Sequence, residues 1–356
     1  MYFLRQEVVG PNKFCIISDR HKGIKAVFER PQYGWSEENG QVVHRYCLQH
    51  VAENLYKKCP DDDLKKIFKK CAAKKKERRF KEGMQSIKRQ YPSGYEFLLT
   101  VGKRRENDPD ERPDASKWAQ CKDGGHRWGI MTSNGSESLN RVFKAVRCLP
   151  VVAIVEGTWY KCVNWFDDRR IKSNVTITDG YQWSRKVTEK IIKRGTKSRP
   201  HRVDPYESAI GHFEVLHQGE TLPNGEFETN KYDVRLYQGR SSCGCRKPDL
   251  TGIPCSHVLA VIRVRKFDLS MFVSEYYSVG NLLNTWSGRF YPYPNQRDWP
   301  EYNGPIVIPK RTWIRRGRRR HIRLPMVMDE MEGRRKKRRG RPLKKRPDGG
   351  TIFALH

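Results

Sequence analysis

The sequence lacks a long apolar run. The longest, Leu149 to Val155, falls far short of the ~20 residues a membrane-spanning helix needs, so no membrane partner is expected. The opening residues, Met1-Tyr2-Phe3-Leu4-Arg5, place no charged segment before an apolar one, which argues against a secretion leader. Negative charge is scarce: 40 Asp and Glu stand against 71 Lys and Arg, a formal net charge of +31. That excludes an acidic disordered chain. Hydrophobic residues make up 37% of the 356 residues, enough for one moderate core but not for dense packing throughout. The length itself suggests two or three domains. Internal repeats, a Walker loop, a dinucleotide fingerprint and a Ser-His-Asp pattern are all missing. Nothing therefore points to a small-molecule substrate.

What the chain does have is concentrated positive charge. From Lys310 to Arg346 there are 18 Lys and Arg against three acids, Asp329, Glu330 and Glu332. A tenth of the chain thus holds about half of the excess. The stretch has almost no apolar periodicity and cannot bury enough surface to offset its ordering entropy. Residues 310–356 are expected to form a basic tail, with 310–348 disordered when free. A polycation favours a polyanion, because phosphate contacts release condensed counterions. DNA is the expected partner; a plain import tail is the other reading, and both place the protein in the nucleus. Within the tail, Arg339-Gly340-Arg341-Pro342 resembles an AT-hook core. Gly340 permits an extended backbone on the groove floor, with both arginines directed along a narrow A·T minor groove. A chance match within an Arg-rich tract is the alternative.

Ten cysteines are present, and seven are scattered: Cys15, Cys47, Cys59, Cys71, Cys121, Cys148 and Cys162. These read as reduced core or surface thiols. The other three cluster as Cys243-Gly244-Cys245, nine residues, then Cys255-Ser256-His257. Two close pairs separated by a short loop suit one tetrahedral zinc, each pair spanning one edge. Arg246 to Pro254 reads as a turn-rich loop joining them. Tyr232, Val234, Leu236 and Tyr237 predict a strand entering the first pair, and Val258, Leu259, Val261 and Ile262 a helix leaving the second. Cys-x-Cys, a loop with Thr251-Gly252-Ile253-Pro254, then Cys-x-His and an apolar helix resembles a SWIM-type zinc finger. The resemblance implies structural Zn2+ at Cys243, Cys245, Cys255 and His257, and a role in binding DNA or protein.

The N-terminal third has Phe14-Cys15-Ile16-Ile17, then Ser18-Asp19-Arg20. This predicts a buried strand with Asp19 at its carboxyl end, where open α/β sheets place functional groups, and a helix over Lys22 to Glu29. Later, Ser133 or Asn134 is a helix-cap candidate. Leu139, Val142, Phe143 and Val146 then repeat at i, i+3, i+4 and i+7, with Glu137 in the first turn. Glu137 alone reads as an ordinary first-turn acid favoured by the helix dipole.

The ordered set is more specific. Ile17-Ser18-Asp19-Arg20 with Lys22-Gly23 is followed by a helical segment with His44-Arg45-Tyr46-Cys47 and His50. Ser133-Asn134, Glu137-Ser138 and Asn140 come next, and then the finger. Together they resemble plant Mutator-like element (MULE) transposases, in their C-terminal portion, over about residues 10 to 265. The resemblance implies an α/β fold, a partial RNase H-like DDE core with a helical insertion, and Asp19 and Glu137 as the second and third metal-binding acids. Mg2+ or Mn2+ would be held there only if the site were completed. The family's first Asp belongs to an earlier strand, and the 18 residues before Asp19 offer only Glu7. A binding protein without transposase activity is therefore expected. A fragment of an active DDE transposase and a zinc-finger protein–protein adaptor are the rival readings.

Cys47 and His50 lie three apart, on one face of a helix, and form half of a second metal site or simply pack in the core. His44 and Cys59 are the nearby candidates for partners. Leu64, Ile67, Phe68 and Cys71 mark one helical face of the insertion, and Phe80, Met84, Ile87 and Tyr91 another; its Lys/Arg-rich outer faces suit DNA backbone contact or plain solvation.

The expected organisation is a partial RNase H-like domain over 1–150, with its insertion at about 45–125, and a helical connector over 151–205. The SWIM finger follows over 206–265, then an aromatic and Pro-rich extension over 266–309 and the tail over 310–356. Within the connector, Asp167 to Asp179 reads as a break, 181–194 as a helix and Gly195 to Pro205 as a basic linker. His212 to His217 and Lys231 to Gln238 read as a small β-hairpin. The 267–303 segment either wraps the finger or docks its aromatics on a partner.

Overall fold

The computed structural model describes residues 4–9, 13–30, 32, 34–37, 40–103, 113–149, 151–221, 227–292, 296–298, 300–301 and 303–304. The tail at 310–356, with Arg339-Gly340-Arg341-Pro342, lies outside them. The chain divides into two units, Met1–Phe143 with Trp159–Tyr291, and Lys144–Thr158 with Pro292–His356. The described part of the second holds short turns at Val146–Cys148 and Gln296–Asp298 and the opening turns of a helix.

The first unit begins with β1 (Phe14–Ser18), α1 (Lys22–Phe28) and β2 (Val42–Tyr46). The strands are parallel, Phe14 opposite Val42 and Ser18 opposite Tyr46. Parallel neighbours need a crossover, and α1 lies on it. Asp19 stands at the exit of β1 and accepts the His21 N–H at 3.1 Å. His44, Arg45 and Tyr46 were expected in a helix with His50, but they pair with β1, and α2 (Leu48–Lys58) starts only after Cys47. The reason is local: the Cys47 N–H bonds Ser18 O at 2.7 Å, extending the strand ladder by one residue.

With α2 pack α3 (Asp62–Ala72), α4 (Glu77–Gln90) and α5 (Pro92–Thr100). Asp61 caps α3, accepting the Leu64 N–H at 2.7 Å. The apolar faces read from the sequence point inward. Leu64, Phe68, Cys71, Phe80 and Ile87 are buried, with Ile67, Met84 and Tyr91 packed against them. Phe68 and Phe80 both meet Trp118, at 5.4 and 5.5 Å between ring centroids.

Two corrections concern the helices after residue 130. The helix α6 (Asn134–Val142) ends before Phe143 and Val146, the last positions of its expected apolar face, and its Leu139 and Val142 are exposed. Next, α7 (Val151–Thr178) runs straight through the expected break at 167–179. Its polar residues satisfy themselves within the helix: the hydroxyls of Ser173, Thr176 and Thr178 donate to the carbonyls of Arg169, Lys172 and Asn174. Inside the first unit Phe166 meets Trp286 and Phe290.

The expected linker at 195–205 is also structured. α8 (Arg185–Ser198) continues through Gly195, anchored by buried Val187 and Ile191, and β3 (Arg202–Glu207) follows. With β4 (His212–Thr221), β5 (Phe227–Tyr237) and β6 (Arg240–Cys243) it forms an antiparallel sheet in the order β3-β4-β5-β6. The expected hairpin is thus the centre of a four-stranded sheet. Val234 and Leu236 face inward while Asp233, Arg235 and Tyr237 are exposed, the alternation of a one-sided sheet. The chain then forms α9 (Lys247–Thr251), α10 (Ser256–Arg265) and α11 (Val279–Thr285). Phe272 and Val273 join the finger's core, so part of the aromatic extension wraps the finger. Among the described residues no helix is long and apolar enough to cross a membrane.

The loop expected between the cysteine pairs contains α9, held by buried Leu250 and closed by Gly252 at φ +64°. A methyl at Gly252 would collide with the Trp128 ring. Gly252→Ala is expected to destabilise the fold by at least about 1–2 kcal/mol from the left-handed conformation alone. Urea unfolding followed by Trp fluorescence measures it, and an unshifted midpoint would show that the Trp128 contact is dispensable.

Candidate metal centre

The carboxyl end of β6, the turn into α9 and the first turn of α10 bring four donors together. The sulfurs of Cys243, Cys245 and Cys255 and a nitrogen of His257 lie within 4.8 Å of one another, and all four residues are buried. His257 Nδ1 is 3.4 Å from Cys243 Sγ and 3.7 Å from Cys255 Sγ. Tetrahedral zinc with bonds of ~2.3 Å to sulfur and ~2.0 Å to nitrogen requires S···N edges of roughly 3.5 Å, so the donor set fits the ion closely. Four protein donors leave no position for a reacting water.

The backbone prepares these sulfurs. Cys243 Sγ accepts the Cys245 N–H at 3.4 Å, and Cys255 Sγ accepts the Val258 N–H at 3.5 Å from the N-terminus of α10. A helix N-terminus favours a thiolate. Within the bare cluster, hydrogen bonding to Cys245 pushes the Cys243 thiol up, and the same contact pushes Cys245 down. Burial pushes Cys255 up to about 12. Crowded thiols oppose one another's ionisation, and a dication held between them would stabilise all three as thiolates.

Surrounding groups orient the ligands. The Tyr232 ring stacks on His257 at 3.8 Å between centroids, and Lys76 Nζ of the helical lobe lies 4.4 Å from the Tyr232 ring. Arg194 of α8 donates to the carbonyls of Ile253 and Pro254 at 3.0 and 2.8 Å, just before Cys255. His201 is buried against Ser256 Oγ at 3.1 Å, and burial pushes its pKa down to about 4. The sequence marked Lys76 only as one of the insertion's cations and marked neither Arg194 nor His201, because each reaches the finger from another element.

The family comparison falls on this ground. Residues 232–266 match the SWIM zinc finger family. This stretch is a SWIM zinc finger. The match and the buried Cys/His cluster together support zinc binding by the SWIM finger. No curated protein and no solved structure matches this chain.

A second convergence lies in the N-terminal lobe. Cys47 caps α2, and His50 sits in that helix's first turn. Glu137 of α6 approaches them, its Oε1 4.0 Å from His50 Nε2. One donor atom from each of the three lies within 4.8 Å of the others. Asp19 lies outside that group of three, but its charge, with that of Glu137, acts on His50. His44 takes no part: it stacks on Phe28 at 3.9 Å and contacts Ser18 Oγ at 2.8 Å. Cys59 is at the far end of α2. Burial pushes the Cys47 thiol up, but hydrogen bonds with His50 and Ser133 outweigh it and bring the thiol down to about 7.

Also missed by the sequence was a buried ionic centre. Arg45 Nε and Arg127 Nε lie 3.0 and 3.2 Å from Asp123 Oδ1, and the Arg127 N–H bonds Asp123 Oδ2 at 2.8 Å. Arg127 also donates to Tyr46 O, tying the 117–131 segment to β2.

Proposed function

We propose that this protein is a nuclear, zinc-dependent DNA-binding protein of Mutator-like transposase descent, in which the SWIM finger's zinc is structural. The observation that carries the DNA reading is an unpaired basic patch beside the finger. Arg263 at the end of α10 donates to Ser198 O and Arg199 O at the end of α8. Around that junction Lys193, Lys197, Arg199, Arg265 and Lys266 are exposed, and among the described residues none pairs with a carboxylate. The cations of α3 and α4 are weaker support, since Lys66, Arg78, Arg79 and Lys81 already pair with acids on their own helices. Transposase descent is supported by the β1-α1-β2 crossover, with Asp19 at the exit of β1 and Glu137 on a later helix. The SWIM finger follows in the same order.

Duplex binding through about five phosphates is expected to give a log–log salt slope of roughly −4.5. Replacing Lys197, Arg199, Arg265 and Lys266 with glutamine is expected to flatten it by up to about 0.9 per residue. Fluorescence anisotropy across about 50 to 300 mM salt reads both. Equal affinity at the two ends would refute DNA binding, and an unchanged slope in the variant would move the contact elsewhere.

A further inference from the structure

The proposed function draws on Glu137 only for its place in the fold and uses neither Cys47 nor His50, and the donor chemistry of these three together is distinctive. Thiolate, imidazole and carboxylate are borderline and mixed in softness. Mg2+ takes almost exclusively oxygen ligands, so an all-oxygen ion is poorly served by Cys47 and His50. Zn2+ accepts all three donor types, and three protein ligands with one open position form a known zinc arrangement.

The geometry points the same way. A zinc-bound N···O edge is roughly 3.4 Å, and the His50 Nε2 to Glu137 Oε1 separation of 4.0 Å is close to it. The side chains of His50 and Glu137 are 29% and 20% exposed, so solvent reaches the cluster.

The donors are also held in place, which separates a built site from a chance encounter. Ser133 is the clamp. Its N–H bonds Cys47 Sγ at 3.3 Å, and its hydroxyl donates to Glu137 Oε1 at 3.2 Å. The Leu48 N–H bonds Met131 O at 2.8 Å, fixing the approach of the 131–133 segment to the start of α2. Two helices whose ligands are 87 residues apart are thereby set against each other at their first turns.

We propose that Cys47, His50 and Glu137 form a second zinc site, distinct from the SWIM finger, with Ser133 as its positioning residue and one coordination position open to a solvent or anionic oxygen.

The test uses the full chain, loaded with Zn2+, freed of excess ion and analysed by elemental mass spectrometry. Two zinc ions per chain are expected. His50→Asn and Glu137→Gln, checked for folding by circular dichroism, are each expected to hold one. In Co2+-loaded protein, a set of visible bands carrying a single thiolate contribution is expected to vanish in His50→Asn while the finger's bands persist. One zinc per chain in the wild type would overturn the proposal. So would two retained in both variants, or displacement of the second ion by excess Mg2+. The DNA reading is judged separately, because its salt slope rests on residues of α8 and α10.

Discussion

Removing zinc is expected to unfold the SWIM finger while leaving the helical lobe intact. The ligands join β6, the turn before α9 and α10, and Val258 and Val261 of α10 share one core with Val234 and Leu236 of the neighbouring β5. Without the ion, three crowded thiols and an imidazole are left at the centre of that core. Structural zinc supplies about 10–16 kcal/mol of apparent folding free energy in isolated fingers. The loss here is expected to be smaller, because Phe213 and Val215 of β4 add packing that an isolated finger lacks. The helical lobe has its own core around Leu55, Leu64, Phe68 and Ile87, which does not depend on the finger's ligands. Hydrogen exchange after chelation, or in Cys255→Ser, should therefore show protection lost over 232–266 and kept in α2 to α5. Acid should act in the same direction. Zinc requires the ligands deprotonated, so falling pH releases the ion and stability falls with it. Unchanged exchange across 232–266 after verified zinc removal would refute a structural role.

The second large effect is expected at Asp123. Asp123→Ala leaves Arg127, 0% exposed, without its carboxylate partner, while Arg45, 9% exposed, keeps only the more distant Glu37 at 3.6 Å. Removing one partner from a buried ionic cluster strands the remaining charge and costs about 3–5 kcal/mol. Burial already pushes Arg127 down, with Asp123 the main opposing influence. Urea denaturation measures the loss. Replacing all three with apolar residues of similar volume is expected to recover much of it, since the desolvation penalty then disappears. A midpoint unmoved by Asp123→Ala would show that solvent reaches the cluster. Because Arg127 bonds Tyr46 O, the single variant is also expected to loosen the 117–131 segment on β2.

Local signals were legible wherever the information was periodic or closely spaced. The faces Leu64/Phe68/Cys71 and Phe80/Ile87 turn inward, because a 3.6-residue repeat has only one buried solution. Residues 232–237 alternate as a strand must, and Cys-x-Cys with Cys-x-His announces a tetrahedron, because each pair can span one of its edges. By contrast, α7 continues through Asp167–Thr178 although its composition suggested a break, since hydroxyl-to-carbonyl bonds within the helix satisfy that polar run.

The sequence by itself determined the amphipathic helices, the strand entering the finger and the spacing of its four ligands. Tertiary structure alone decided that Glu137 meets Cys47 and His50, that Asp123 gathers Arg45 and Arg127, and that the ends of α8 and α10 form one basic patch. The division follows from range. Periodicity and close spacing act over a few residues, where chain geometry is nearly fixed. The other contacts depend on how separate elements pack, and that is settled by the whole core at once.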